Sequence, residues 1–486
     1  MISDEVVSLG ARVRRLADER PDAPAVSCDD DTRTWAALDR RSNRLARALE
    51  ARGVREGGFV TIGLPNGVAF VEACVACWKL GATPQPVSSR LPAAELEAIV
   101  ALAEPALVVR AEPGEVAGRA CVSAETLVDE ADDDGPLPDR VSPAWKAPTS
   151  GGSTGRPKLI VAGRPGLVNW LEMAFWRLDD TSTALMPGPL YHNGPFVSAF
   201  HALMAGGHLV VLPRFDALRT LEQVEAHRAT WLYLVPTMMS RIWRLPEAVR
   251  TGFDVSSLET VWHLAAPCPP WLKEAWIEWL GGERIWELYA GTEAQVTTVI
   301  TGTQWMERRG SVGRPINGDV RILDDDGAEV PPREVGEVFL RRLAGTDPTY
   351  RYIGAEARSR GEWESLGDLG WVDEDGYLYL ADRRADMILV GGSNVYPAEV
   401  EAALDEHPHV ASSAVIGLPD DDLGQRVHAI VQAPPDLDVD DLRAHLESRL
   451  VRYKLPRSFE RVDEPVRDDA GKVRRSRLVD ERRSQP

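Results

Sequence analysis

Cysteine is scarce in this chain. Five are scattered over 486 residues, too dispersed for a disulfide-stapled extracellular scaffold and suited to thiols kept reduced. Cys74 and Cys77 fall at helical spacing in an apolar segment and read as small buried hydrophobes rather than a redox pair. Basic residues are outnumbered: 55 Lys and Arg against 75 Asp and Glu leave a formal charge of −20. That balance argues against a nucleic-acid partner, which needs clustered cations to neutralise phosphates, and mainly confers solubility. The nine histidines show no close spacing to cysteine, so no cage of protein ligands for a metal is expected. No apolar run is long enough for a membrane span. The best candidate, Phe59 to Val87, carries Glu72 and Lys79 and is broken by Pro65, Gly67 and Gly81. The N-terminus, with Asp4 and Glu5 and no apolar segment after them, does not read as a signal peptide. These absences place the protein in the cytoplasm, with neither membrane nor nucleic acid among its expected partners.

What is present is an alternation of helical and strand patterns in a chain too long for one core, so two or more domains are expected. Ala37 to Arg52 reads as helix, Phe59 to Leu64 as strand, and Val68 to Leu80 as helix. The unit recurs as His208 to Leu212, Leu218 to Arg228 and Thr230 to Leu234. Such alternation implies α/β layers with parallel strands. No fixed-period repeat is found. Asp319 to Leu340, with Asp325-Asp326-Gly327 between two alternating runs, reads as a β-hairpin, so a smaller β element at about 310–380 follows the large α/β part. The remainder is a charged α+β region with helices at Glu399 to Glu406 and Leu442 to Leu450, and strands at Ala411 to Leu418 and Arg426 to Gln432. The boundary is placed after Asp382, giving 1–382 and 383–486.

The run Thr149-Ser150-Gly151-Gly152-Ser153-Thr154-Gly155-Arg156-Pro157-Lys158 has the composition of a phosphate cradle. Glycine backbones approach a polyphosphate closely, successive N–H groups form an anion nest, hydroxyls add donors, and the lysine adds a point charge. The spacing is not that of P-loop ATPases, because Arg156 and Pro157 separate the last glycine from the lysine. Taken alone, the same composition also suits a turn between two strands.

Four further motifs follow in order: Tyr289-Ala290-Gly291-Thr292-Glu293, Gly367-Asp368-Leu369-Gly370, Asp382-Arg383-Arg384-Ala385-Asp386, and Gly471-Lys472. With the phosphate run, they resemble the adenylate-forming superfamily of acyl-CoA synthetases, luciferases and peptide-synthetase adenylation domains over nearly the whole chain. Leu190-Tyr191-His192-Asn193-Gly194 and Gly391-Gly392-Ser393-Asn394 resemble the acyl-CoA and aryl-CoA ligase branch.

That resemblance implies ATP, Mg²⁺ and coenzyme A. Thr149 to Gly155 with Lys158 would hold the β- and γ-phosphates, Thr292 the α-phosphate, and Glu293 the Mg²⁺. Tyr289 would pack on adenine beside Ala265 and Ala266, and Asp368, assisted by Arg383, would bind the ribose hydroxyls. Lys472 would reach from a mobile lid to the reacting carboxylate and α-phosphate. By composition alone, the basic run Gly471 to Arg475 reads as a solvated tail. The lid's hinge falls near Ala385, where many members carry Asp or Lys, and Gly391 and Gly392 would admit a pantetheine arm in a second lid pose. As ordinary structure, those glycines and Pro397 suit a turn leading into a helix.

His192, Asn193, Gly194 and Gly291 would border the acyl pocket, His192 also gating it, with Trp262 to Pro267, including His263 and Ala265, as the opposite wall. No aspartate stands in Pro189 to Phe196 to pair an α-ammonium, which favours a plain carboxylic acid, aromatic or otherwise bulky. Trp271, Trp276 and Trp279 follow a helical pattern that core packing explains. The leading reading is an acid-CoA ligase. The alternatives change the acceptor to a carrier protein, an amine or nitrite, or leave a metabolite-binding protein without catalysis. The oligomeric state is left open between monomer and homodimer.

Overall fold

The alternation is realised in a computed structural model that describes residues 5–151, 157–420, 422–468 and 471–483. Six parallel strands, in the order Pro24–Cys28, His208–Val211, Thr183–Met186, Trp231–Leu234, Thr260–Leu264 and Ile285–Tyr289, form the centre of the largest sheet. Nearly all their side chains are buried, as expected for a parallel sheet covered on both faces. A second sheet, built on Phe59–Gly63, Thr83–Pro86 and Leu107–Arg110, is also parallel at its core. The helix Val68–Lys79 lies almost wholly inside, which explains Cys74 and Cys77. Burial raises both thiols far above the usual cysteine range, so they are inert hydrophobes.

The antiparallel strands between Ser311 and Arg383 continue the large sheet rather than closing a separate one. Ser311–Pro315 pairs Thr298–Thr301 on one side and Leu378–Arg383 on the other. The expected hairpin is a true pair, Gly318–Leu323 with Gly336–Arg342. Its turn at Asp325-Asp326-Gly327 is followed by a further loop through residue 335, because Asp324 N–H donates to Ala328 and closes only a local turn. The C-terminal strands Ile388–Val390, Ser393–Val395, Ser412–Asp420, Gly424–Gln432 and Ser458–Val462 form their own sheet and their own hydrophobic cluster with the helices Pro397–Asp405 and Val439–Glu447.

Candidate nucleotide and acyl site

In open α/β sheets, ligands bind beyond the carboxyl ends of the parallel strands. Here those ends deliver His192, Thr237, Ala265 and Gly291 to one cleft of about 2310 Å³. Asp368, Arg383 and Lys472 line the same cleft, so motifs spread from Thr149 to Lys472 converge in space.

On the phosphate side, Thr149, Ser150 and Gly151 form a strand paired with Pro157–Ala162, which carries Lys158. Thr149 Oγ1 accepts a 2.8 Å bond from Gln85 Nε2, fixing this strand to the second sheet. Gly152, Ser153, Thr154 and Gly155 lie outside the described residues. Lys158 Nζ stands 3.5 Å from Glu293 Oε1 and 3.9 Å from the ring centre of Tyr352. The Tyr352 phenol donates to the same Glu293 oxygen. Burial, then this bond, raises the phenol far above its ordinary value, so it stays a donor. No cluster of three or more His, Cys, Asp or Glu able to hold a metal occurs among the described residues. A divalent ion at Glu293 would therefore take its other ligands from phosphate and water, which magnesium accepts. Side chains crowd this motif: a Cβ on Gly291 would meet Leu366 Cδ1 at 2.5 Å and Glu293 Oε2 at 2.9 Å.

On the nucleoside side, Tyr289 Oη donates to Asp368 Oδ2 at 2.6 Å, and Arg383 Nε lies 3.4 Å from the other carboxylate oxygen. Asp368 and Arg383 are register partners on adjacent antiparallel strands. Burial, then Asp368, pushes the Tyr289 phenol well up. Ala266 lies in the same wall, and Ala265 before it adopts a left-handed φ of 75°, a strain of the kind that gathers at ligand sites.

The segment carrying Lys472 is anchored at the cleft rather than trailing free, and the residue itself is exposed there. Gly471, at φ 75°, is buried against Val235 and Thr237, and the Lys472 N–H donates to Asp468 Oδ1 at 2.9 Å. The residue is exposed to the open cleft, with protein crowded around the ammonium. That crowding, then Arg383, holds its ammonium below the usual lysine value. His192, at the start of the helix Asn193–Ala205, has an Nε2 with no hydrogen-bond partner among the described residues. Burial, then Lys472, pushes it down to about 3, so it is neutral. Asn193 and Gly194 line the cleft, and Gly194 faces the Tyr233 phenol so closely that a Cβ would sit 2.6 Å from its oxygen.

Two expectations are corrected or redirected. His263 does not form the pocket wall: it is fully buried, its ring nitrogens without a hydrogen-bond partner among the described residues, while Leu264 to Pro267 line the cleft. All five residues of the strand are buried, Lys273 of the helix Pro270–Leu280 lies near the His263 ring, and exposure begins only at Ala265, just past the strand. Trp262 is buried in the same strand. Gly391 and Gly392 lie outside the cleft, in the turn joining Ile388–Val390 to Ser393–Val395, with φ of 54° and 85°. Turn geometry accounts for these two glycines.

Sequence reasoning missed Tyr352, whose only signal is the alternation Tyr350-Arg351-Tyr352 in a short strand, and Lys146, a cation in the apolar stretch before Thr149. Both line the cleft.

The pattern of the AMP-binding enzyme family matches residues 13–346, and that of the AMP-binding enzyme C-terminal domain matches 399–472. The chain is 35% identical to a feruloyl-CoA synthase of Amycolatopsis sp, covering 96% of this chain and 97% of the relative. It is 31% identical to the fatty acid–[acyl-carrier-protein] ligase ScoC of Streptomyces coeruleorubidus, covering 96% and 94%. Among solved structures, the o-succinylbenzoate CoA synthetase of Bacillus subtilis in complex with its acyl-adenylate intermediate superposes with a TM-score of 0.81 at 26% identity, covering 98% of each chain.

Proposed function

Because the chain belongs to the AMP-binding enzyme family, we propose that it activates a bulky, non-amino carboxylic acid with ATP and transfers the acyl group to the thiol of coenzyme A. Its enzyme class is that of the AMP-forming acid-thiol ligases. The observation that carries the reading is the delivery of Lys472 into the cleft that holds the Tyr289–Asp368 pair and Glu293.

A carboxylate is a poor acyl donor because its leaving group would be an oxide, and a mixed anhydride with AMP removes that barrier. The step needs positioning and charge neutralisation more than proton transfer. Lys158 and the run from Thr149 to Gly155 would hold the leaving pyrophosphate, and Thr292 the α-phosphate. Asp368 would accept from the ribose hydroxyls, Tyr289 and Ala266 would flank the adenine, and Lys472 would neutralise charge between the carboxylate and the α-phosphorus. Glu293 would hold Mg²⁺, which when bound offsets phosphate charge. Neutral His192, with Asn193, Gly194, Ala265 and Gly291, would border the acyl group. We assign 1–382 to the adenylating part and 383–486 to a lid hinged near Ala385. A turn of that lid would bring Gly391 and Gly392 to the thiol. The identity to a carrier-protein ligase favours a second reading, in which the thiol belongs to a carrier protein.

The deciding experiment is acid-dependent pyrophosphate release from ATP and Mg²⁺ across aryl, fatty and polycyclic acids, with and without coenzyme A, with products identified by mass. An acyl-CoA product supports the ligase. Activation without a thioester, reversed by adding a phosphopantetheinylated carrier, supports the second reading, and silence on every acid counts against both.

A further inference from the structure

Part of the cleft wall carries charge that the chemistry above does not use. Lys146 is 5% exposed and directs Nζ to Asn193 Oδ1 at 2.6 Å. Among the described residues no carboxylate lies within ion-pair distance of it. The nearby acid, Glu172, is already committed: it pairs with Arg164 and, at 2.6 Å, with His201 Nε2. Burial, then Arg164, pushes the Lys146 ammonium down to about 7, outweighing the more distant carboxylates of Glu172 and Glu293.

The surroundings add to the imbalance. Asn193 opens a thirteen-residue helix whose N-terminus has no side-chain cap, so the positive end of the helix faces the same space. Packing offers the charge little: Ala144 and Ala147 beside it are buried apolar residues, and the Trp145 ring centre lies 5.3 Å from Nζ. A buried ammonium in a ligand cleft, flanked by a helix N-terminus and served by one neutral amide oxygen and one aromatic face, is arranged to receive an acceptor oxygen from outside the protein.

We propose that Lys146 is a specificity residue for the acid: its ammonium takes an acceptor oxygen that the acid carries apart from the carboxylate being activated, either a second carboxylate or a phenol or ketone oxygen. The proposal rests on the ligase reading, since it concerns the acyl half of the same cleft. A site built around a polar partner rejects an analogue that lacks it far more strongly than an apolar pocket rejects a missing methylene.

Two measurements test it. The first is pyrophosphate-release kinetics with cinnamic acid against its para-hydroxy, para-acetyl and para-carboxy derivatives, and decanoic acid against its omega-hydroxy and dicarboxylic derivatives. In the unmodified protein at least one oxygenated acid should exceed its parent in kcat/KM by about tenfold or more, and in Lys146→Met the ratio should fall towards one. A preference that survives the substitution, or that is absent from the unmodified protein, overturns the proposal. The second uses the unmodified protein and needs no turnover: trace acetylation of Lys146 near neutral pH, read by peptide mass spectrometry. Oxygenated acids should protect Lys146 several-fold better than their parents, with the carboxy and neutral-oxygen arms deciding which source is taken. Equal protection, or none, overturns the proposal. If no acid releases pyrophosphate, the ligase reading falls, while the labelling still decides what Lys146 binds.

Discussion

Lys158 Nζ and Glu293 Oε1 stand 3.5 Å apart, with the ring of Tyr352 against the ammonium and its phenol bonded to the same carboxylate oxygen. The lysine that would hold phosphate and the acid that would hold the metal are therefore kept in one arrangement, and Tyr352 fixes their spacing. Glu293→Gln should lower adenylation by about a hundredfold, and Tyr352→Phe by about tenfold, while raising the Mg²⁺ concentration needed for half-maximal pyrophosphate release. A Tyr352→Phe enzyme with an unchanged Mg²⁺ midpoint would remove Tyr352 from this role.

Lys472→Ala should slow adenylation by about a hundredfold or more, the equivalent of roughly 3 kcal/mol of lost transition-state stabilisation. Thioester formation from a preformed acyl-adenylate should suffer much less, and equal damage to both half-reactions would sink the assignment. The pH profile supplies a second check. The charged form is the useful one and its pKa is lowered, so adenylation should fall on the alkaline side below the ordinary lysine value of about 10.4. Lys472→Arg should move that limb upward.

Ala265 holds φ 75° without being glycine. Ala265→Gly relieves the strain and should raise stability by up to about 1 kcal/mol. Ala265→Val should destabilise by about 2 kcal/mol, because a β-branched residue resists the left-handed region. Thermal melts of the two variants separate these outcomes. If both melt alike, backbone strain at 265 is not what sets the effect.

Glu401 is buried and receives Arg467 and Arg475, the two arginines that bracket Gly471 and Lys472. Burial alone would raise this carboxyl, but the two guanidiniums outweigh it and its pKa lies below the ordinary value. A depressed carboxylate contributes stability that is complete above the unfolded value of about 4.3 and is lost as pH falls through the folded one. Melting of the C-terminal part should therefore drop on acidification below about pH 4.5. Glu401→Gln should cost about 3 kcal/mol near neutrality, flatten that dependence and slow adenylation through loosened placement of Lys472. An unaltered acid limb in Glu401→Gln would show that another group controls it.

Much of this was legible in the sequence because it is local. The run Val68 to Leu80 announces a buried helix by composition, and the structure ends it at Lys79. The alternation of short apolar strands with helices dictates parallel pairing, and the order of five motifs names the family. What was not legible depends on register and long-range packing. His263 and Leu264 are neighbours in one strand, yet only the second reaches the cleft, and where a strand emerges from its sheet is set by elements far away in sequence. Tyr352 gains meaning only because its strand pairs with Pro157–Ala162 and sets its ring beside Lys158. Lys146 was not legible at all, because only the fold sets it in the cleft wall and shows that Glu172 is occupied by Arg164 and His201.

The antiparallel strands that carry Asp368 and Arg383 are hydrogen-bonded into the same fourteen-stranded sheet as the parallel strand that ends at Tyr289. The two sides of the proposed nucleoside pocket thus belong to one fabric, and prising Asp368 from Tyr289 would tear a ladder rather than swing a loop. The sheet beginning at Ile388 is woven separately. In hydrogen exchange the strands bearing Tyr289 and Asp368 should open as one unit with a shared free energy, while the strands beyond Ile388 should exchange on a schedule of their own.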